Sequence, residues 1–104
     1  MEKTFYQQVI YFIKKIPKGK VATYGLIARL AGSPRAARQV SYILHSSSGK
    51  EKLPWFRVVN RQGKISLRPG AGFETQKKLL EDESIDFRED GSIDLKLFLW
   101  KNIK

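Results

Sequence analysis

The sequence contains no cysteine and a single histidine, His45, among its 104 residues. Without thiols there is no disulfide framework, no thiolate nucleophile and no cysteine-ligated metal. One histidine without any cysteine also excludes the usual ligand sets of structural zinc. We therefore expect neither a metal nor a cofactor, and no catalytic residue of the thiol type.

Long apolar segments are missing as well. There is no run of about 18 apolar residues, so no transmembrane helix is expected, and the opening MEKTFYQQV lacks the apolar core of a signal peptide. The chain is 41% hydrophobic, enough for one core. We expect residues 1–104 to form one soluble, monomeric domain in the cytoplasm, associated with the nucleoid if the source is bacterial.

Negative charge is scarce over most of the chain. Residues 1–78 hold 16 Lys and Arg against 3 Asp and Glu, whereas residues 79–104 hold 4 against 7, and the net charge is +10. This excess favours a polyanionic partner, nucleic acid above all. A solvated surface without such a partner is the alternative. A membrane-binding amphipathic helix is disfavoured, because the charges are spread over loops and several short elements.

The residues that are present first predict two helices. Thr4 and Gln7 have the spacing of a capping box, which starts a helix over Phe5–Ile16. A second helix is expected over Tyr24–Ala31, capped by Thr23. Gly32 fits the position after its end, where positive φ is favoured.

A third helix completes a helix-turn-helix pattern. We expect Ser33 to cap it, Pro34 to occupy its first position and the helix to end near His45. Arg35 and Arg38 share its polar side. Two short helices of this kind, the second with arginines, are typical of DNA-binding helix-turn-helix motifs, although an ordinary solvent-exposed helix face has the same pattern.

The second half of the chain is predicted to be less regular. Residues 45–52, HSSSGKEK, are expected to form a polar loop. Residues 55–60 are expected to be extended, and residues 64–67 to pair back with them. A helix is expected over Phe73–Glu83, followed by a hairpin with an Asp-Gly turn between IDF and SIDL. Trp100, in the closing KLFLWKNIK, is expected to be a packing anchor.

Two motifs carry a family resemblance. GKVATYGLIARLAGSPRAARQV, followed after a loop by LPWFRVVNRQGKISL, resembles the DNA-binding and active-site domain of the O6-alkylguanine-DNA alkyltransferases. The resemblance implies a fold that is mainly α with minor β, a winged-helix-like helix-turn-helix domain of the alkyltransferase C-terminal type. In that family the second motif reads Pro-Cys-His-Arg-Val, and the cysteine accepts the alkyl group.

Here the same positions read Pro54-Trp55-Phe56-Arg57-Val58. An indole cannot accept an alkyl group as a thiolate does, so the chain resembles the non-enzymatic, alkyltransferase-like branch. That branch usually keeps the histidine that Phe56 replaces. Glu83 matches the glutamate of the lost proton relay, without anything to relay to. Arg57 is expected to brace the loop from behind.

The resemblance implies roles on the DNA side. Tyr24 matches a tyrosine that crowds the phosphate 3′ to the target and helps to rotate the nucleotide outward. Arg38 matches an arginine that fills the gap left by the flipped base, on a helix that lies in the minor groove. Arg35 and Ser41 are expected to contact DNA from the same helix. Ser47 stands where the transferases carry a supporting asparagine.

The resemblance also implies a lesion pocket, formed by Tyr24, Pro54, Trp55, Val58 and Arg68. Trp55 would offer a flat surface to a flipped base, since flipped bases need aromatic contacts to offset lost stacking. Arg68 would meet the base by its face or its edge. The alternatives are a plain core tryptophan for Trp55, helix packing for Tyr24 and a phosphate contact for Arg68.

The expected function is binding of duplex DNA through the minor groove, flipping of O6-alkylguanine without removal of the alkyl group, and marking of the lesion for nucleotide excision repair proteins. One alternative is a sequence-specific helix-turn-helix transcription factor that uses the major groove. Another is residual enzyme activity at one of the serines 46–48.

Overall fold

Five α-helices and one two-stranded sheet make up residues 3–101, the part of the chain that the computed structural model describes. The predicted class, mainly α with minor β, is confirmed. In chain order the elements are α1 (Phe5–Lys15), β1 (Ala22–Thr23), α2 (Tyr24–Leu30), α3 (Ala37–Glu51), a 3₁₀ turn (Trp55–Arg57), β2 (Val58–Val59), α4 (Phe73–Asp82) and α5 (Leu95–Phe98).

Helix α1 begins and ends close to its predicted bounds. The capping box is present in both directions: the Gln7 amide donates to the Thr4 hydroxyl, and the Gln7 side chain accepts from the Thr4 amide. Its buried side includes Val9 and Ile13, which are fully enclosed. The helix therefore packs against α2 and α3 with one apolar face.

Helix α2 supports the predicted motif. The Thr23 hydroxyl caps it by accepting from the Leu26 amide at 3.0 Å, and Gly32 follows its end with φ of +97°. A positive φ of this size suits glycine because a Cβ would be strained there. The turn after α2 leads to α3, and the two helices pack on each other as a helix-turn-helix requires.

The predicted start of α3, at Pro34, is wrong by three residues. Residues 33–36 form a turn instead, closed by a 2.9 Å hydrogen bond from the Ala36 amide to the Ser33 carbonyl. Proline suits the second position of such a turn as well as the first position of a helix. In this structure Pro34 occupies the second position of the turn. Helix α3 starts at Ala37 without a side-chain cap.

The predicted end of α3 is also wrong, because the helix continues through the segment 46–51 that was expected to be a loop. Serine and glycine are weak helix formers, but packing compensates for them here. Ser47 is buried and shares a 2.9 Å hydrogen bond with the Tyr6 hydroxyl of α1. The helix ends at Lys52, whose φ of 56° is left-handed, and buried Leu53 donates its amide back to Ser48.

The short sheet joins the two motif segments. Strands β1 and β2 are parallel, with Ala22 opposite Val58 and Thr23 opposite Val59. Successive residues of a strand face opposite sides, and β2 uses this to connect two cores. Val58 packs with α1, α2 and α3 in the first core cluster, whereas Val59 packs with α4 and the C-terminal segment in the second core cluster.

Residues 64–67 do not form the predicted strand. The Asn60 amide donates to the Lys64 carbonyl at 3.0 Å, and the Asn60 side chain accepts from the amides of Gln62 and Lys64. Asparagine closes the turn through its own side chain. The following residues then run as a loop, residues 66–72, to the start of α4.

The C-terminal part agrees with the sequence pattern. Helix α4 stops one residue before the predicted Glu83, which is its C-cap. An antiparallel bridge joins Phe87 and Ile93 at the predicted hairpin. Trp100 is half-buried against the first core cluster, and its amide donates to the Val21 carbonyl at 2.7 Å. The last residues of this predicted segment, 102–104, lie outside the described residues.

Candidate nucleic-acid interface

A pocket of about 510 Å³ opens between α3, the 3₁₀ turn and the loop 66–72. Its walls come from both motif segments and from the start of α4. It is lined by Tyr24, Ser41, Leu44, His45, Ser48, Trp55, Val58, Ser66, Leu67, Ala71, Gly72 and Gln76. None of these is a carboxylate, so the lining offers aromatic and aliphatic surface, hydroxyl groups and an amide.

Four of the predicted site residues meet in this pocket. Tyr24, Trp55 and Val58 line it as expected, and Ser41, which was assigned to the DNA surface, lines it too. Pro54 is half-buried beside Trp55 but is not among the lining residues, and neither is the exposed Arg68. Their predicted pocket roles remain predictions.

Trp55 is half-buried and begins the 3₁₀ turn, so the predicted extended conformation is wrong for residues 55–57. Its ring meets that of Phe56 edge-on, at 90° and 6.0 Å between centroids. One part of the indole packs against the first core cluster, while another part faces the pocket. Trp55 is therefore a core contact and a pocket wall at the same time.

Arg57 and Glu83 fasten this turn from behind. Arg57 Nε donates to both carboxylate oxygens of Glu83, at 3.0 and 3.2 Å, and its Nη1 donates to the Ile16 carbonyl at 3.0 Å. The Gly19 amide donates to Glu83 as well, at 3.0 Å. Arg57 thus braces the turn as expected, and Glu83 connects it to α4 and to the segment before β1.

Two opposing effects set the pKa of Glu83. Burial alone would raise it, but the hydrogen bonds from Arg57 and from the Gly19 amide, with the charges of Arg57 and Lys18, lower it below its ordinary value. The neighbouring Phe56 makes apolar and cation–π contacts: its ring centre lies 5.2 Å from the Arg57 guanidinium, and its side chain packs against the second core cluster. The Glu83 carboxylate is thus bound by Arg57, next to the phenyl ring of Phe56.

Tyr24 links the pocket to the loop 66–72. It is the first residue of α2, and its hydroxyl shares a 3.0 Å hydrogen bond with the hydroxyl of Ser66. The loop is also tied to α4, since the Gly70 amide donates to Glu74 at 3.0 Å. This hydrogen bond lowers the pKa of the exposed Glu74 carboxyl. Arg68 lies between these two attachments and is exposed.

An open depression with exposed arginines lies at the start of α3. Arg35, in the turn before α3, and Arg38, in the first turn of α3, are exposed and border this depression, which also contains Ser33, Pro34, Ala36 and Gln39. No carboxylate lines this depression. The two arginines therefore present positive charge to solvent beside the pocket.

Sequence reasoning missed several pocket residues. Ser41, Leu44, His45 and Ser48 follow the i, i+3, i+4, i+7 spacing of one helical face. That spacing was readable in the sequence, but the predicted end of α3 at His45 removed Ser48 from the helix. Gln76 carries no comparable signal, since nothing in the sequence indicates that a glutamine of an amphipathic helix is buried.

Residues 3–101 contain no cluster of three or more His, Asp and Glu side chains that could hold a metal ion. Within the same range, no helix has the length and apolar character needed to cross a membrane.

Comparison with known proteins identifies the protein family to which this fold and this pocket belong. Residues 4–85 match the DNA binding domain of 6-O-methylguanine DNA methyltransferase, and the chain belongs to this family. Its resemblance to the alkyltransferase-like branch is confirmed by relatives that carry that name or the name of base-flipping proteins.

Two relatives match nearly end to end. The DNA base-flipping protein of Vibrio parahaemolyticus is 48% identical over 97 residues, covering 93% of this chain and 96% of that protein. Alkyltransferase-like protein 1 of Schizosaccharomyces pombe is 39% identical over 102 residues, covering 93% and 94%.

A solved structure has the same fold. The crystal structure of S. pombe Atl1 in complex with damaged DNA containing O6-carboxymethylguanine matches with a TM-score of 0.83 and 37% identity, over 96% of this chain and 99% of that one. The helix-turn-helix fold is therefore that of an alkyltransferase-like protein.

Proposed function

We propose that this protein binds duplex DNA, flips O6-alkylguanine into the pocket beside Trp55 and leaves the alkyl group in place. The observation that carries the proposal is the position of Trp55. It lines a pocket whose lining includes Ser41, one helical turn after the exposed Arg38. The motif resemblance aligns Trp55 with the nucleophile of the family's enzymes. The whole chain contains no cysteine that could replace it.

The pocket suits a neutral aromatic base. Its lining combines Trp55 and Tyr24 with aliphatic side chains and three serine hydroxyls, and it contains no carboxylate. A base that leaves the stack loses stacking energy, and one aromatic contact returns about 1–3 kcal/mol. A volume of about 510 Å³ gives room for a purine that carries a substituent.

The DNA surface adjoins this pocket. Arg35, in the turn before α3, and Arg38, in its first turn, are exposed. The family resemblance implies that this helix would enter the minor groove and that Arg38 would fill the vacated stack. Contacts of this type position the protein without reading base sequence. Ser41, three residues after Arg38 on α3, lines the pocket and would contact the extruded nucleotide.

The proposed consequence is signalling rather than repair. A protein that holds a lesion in a pocket without a nucleophile performs no chemical step on it. Its effect would then come from the bound protein–DNA complex itself. We propose that nucleotide excision repair proteins recognise this complex, in line with the branch that the chain resembles.

A binding titration tests the proposal. Two duplexes of one sequence carry guanine or O6-methylguanine at a single fixed position, and anisotropy reports binding. The proposal requires tighter binding to the modified duplex in more than one sequence context. Equal affinity for both duplexes, combined with a strong dependence on surrounding sequence, would instead identify a sequence-specific transcription factor.

A further inference from the structure

Gln76 is the one amide side chain that lines the pocket, and it is 3% exposed. It lies in the first turns of α4, where it reaches back to the 3₁₀ turn. Its Nε2 donates to the carbonyl oxygens of Phe56 and Val58, each at 3.0 Å. Gln76 thus connects α4 to the backbone on both sides of Arg57.

These two hydrogen bonds fix the orientation of the amide. Both partners are carbonyl oxygens, which accept and never donate, so the nitrogen must face them and Oε1 must face away. Both N–H groups are then used. Within residues 3–101, Oε1 receives no hydrogen bond from a protein donor. In the same range, every side-chain nitrogen or oxygen atom that is fully enclosed has a hydrogen-bond partner, so Oε1 is not fully enclosed. Oε1 therefore retains access to the space that Gln76 lines, which is the pocket.

We propose that Oε1 of Gln76 accepts a hydrogen bond from the exocyclic amino group of the flipped base. This contact would make the pocket selective for purines that carry an amino group at C2. The inference rests on the proposed function, because it names a contact inside the same pocket. A buried acceptor of fixed orientation favours an occupant that carries a donor, since a base without one would remove water from Oε1 and replace it with nothing.

The chemistry of the lesion leaves one candidate for the donor. Alkylation at O6 removes the proton from N1 of guanine, so the amino group at C2 is the only N–H donor left on the ring. 6-Methoxypurine, the base of O6-methylinosine, has the same methoxy group and lacks that amino group. The two bases differ in the donor that Gln76 would read.

The experiment measures the ratio of affinities for duplexes that carry O6-methylguanine or O6-methylinosine at one position. Wild type is compared with Gln76→Lys, whose ammonium group can still donate to the Phe56 and Val58 carbonyls but offers no acceptor. Thr75→Lys, at an exposed position of the same helix, adds the same charge outside the pocket. Unpairing costs differ between the duplexes but are common to all three proteins, so they cancel when the ratios are compared.

Wild type and Thr75→Lys should prefer O6-methylguanine over O6-methylinosine by a factor that Gln76→Lys lowers about three- to tenfold, the range of one neutral hydrogen bond. An unchanged ratio in Gln76→Lys overturns the inference. If Gln76→Lys does not fold, as circular dichroism would show, Gln76→Met replaces it and should lower the ratio equally. Equal binding of the two modified duplexes by wild type, with O6-methylguanine still preferred over guanine, overturns the inference alone. No preference over guanine overturns the proposed function with it.

Discussion

Glu83→Gln should destabilise the fold strongly, because it removes the charge that Arg57 needs. The two side chains are only 17% and 9% exposed, so their ion pair is largely shielded from water. Breaking a buried pair costs about 3–5 kcal/mol. We expect about 3 kcal/mol here, at the lower end of that range, because Arg57 keeps its bond to the Ile16 carbonyl.

The assay is urea unfolding followed by circular dichroism, at neutral pH and then at decreasing pH. Since the pKa of Glu83 is lowered in the folded state, its contribution is present above the ordinary value of 4.5 and is lost as the pH falls through the folded value. The difference between wild type and Glu83→Gln should therefore shrink in acid. Glu74 and Asp90, whose pKa values are also lowered, are common to both proteins and cancel.

Glu81→Gln is the matched control, because Glu81 is an exposed carboxylate on the same helix. It should change the unfolding free energy by less than about 0.5 kcal/mol, as surface substitutions usually do. If Glu83→Gln were as mild as Glu81→Gln, or if its effect were the same at pH 7 and pH 3, the ion pair would not fasten the turn and the reasoning would fail.

Three further predictions concern DNA. After incubation with O6-methylguanine DNA, mass spectrometry should find protein and DNA unchanged; a methyl group gained by the protein, or restored guanine, would contradict this. Contact with about 5–6 phosphates predicts a slope near −5 for log K against log salt, and a nearly flat slope would assign the basic surface another role. Trp55→Ala should lose about 1–3 kcal/mol of lesion preference and keep most affinity for unmodified DNA, whereas Arg38→Ala should weaken lesion binding and lower the fluorescence of 2-aminopurine at the flipped position. Equal weakening of both duplexes by Trp55→Ala would make Trp55 a core residue only.

Local signals predicted the elements that local chemistry determines. The capping box at Thr4, the cap at Thr23 and the glycine after α2 each specify a helix end through a few adjacent residues, and the structure confirms them. At Pro34 two local signals compete, because proline suits a turn and a helix start equally. The sequence contains no local feature that decides between them.

Tertiary contacts determined what the sequence pattern could not. Helix α3 extends through its serines because Ser47 is buried against Tyr6, a contact between residues 41 positions apart. The parallel pairing of β1 with β2 likewise joins distant segments. Tyr24 and Trp55 were found because they lie in the two motifs that carry the family resemblance. Ser48 was missed because its place in the pocket depends on the extension of α3, and Gln76 because its place depends on long-range hydrogen bonds to the Phe56 and Val58 carbonyls.

The turn that carries Trp55 is held by hydrogen bonds within the protein itself. Gln76 binds the backbone on both sides of Arg57, and Arg57 binds Glu83 and the Ile16 carbonyl. A wall fixed in this way loses little conformational freedom when a base arrives, and preorganisation of this kind raises affinity without any additional contact. The loop that carries Arg68 is attached by side-chain hydrogen bonds at Ser66 and Gly70, and the Arg68 carbonyl accepts from the amides of Ala71 and Phe73, while the Arg68 side chain is exposed. We therefore propose that Trp55 supplies a rigid wall of the pocket, while the Arg68 side chain, on a backbone that is held in place, would adjust to the lesion after the base has entered.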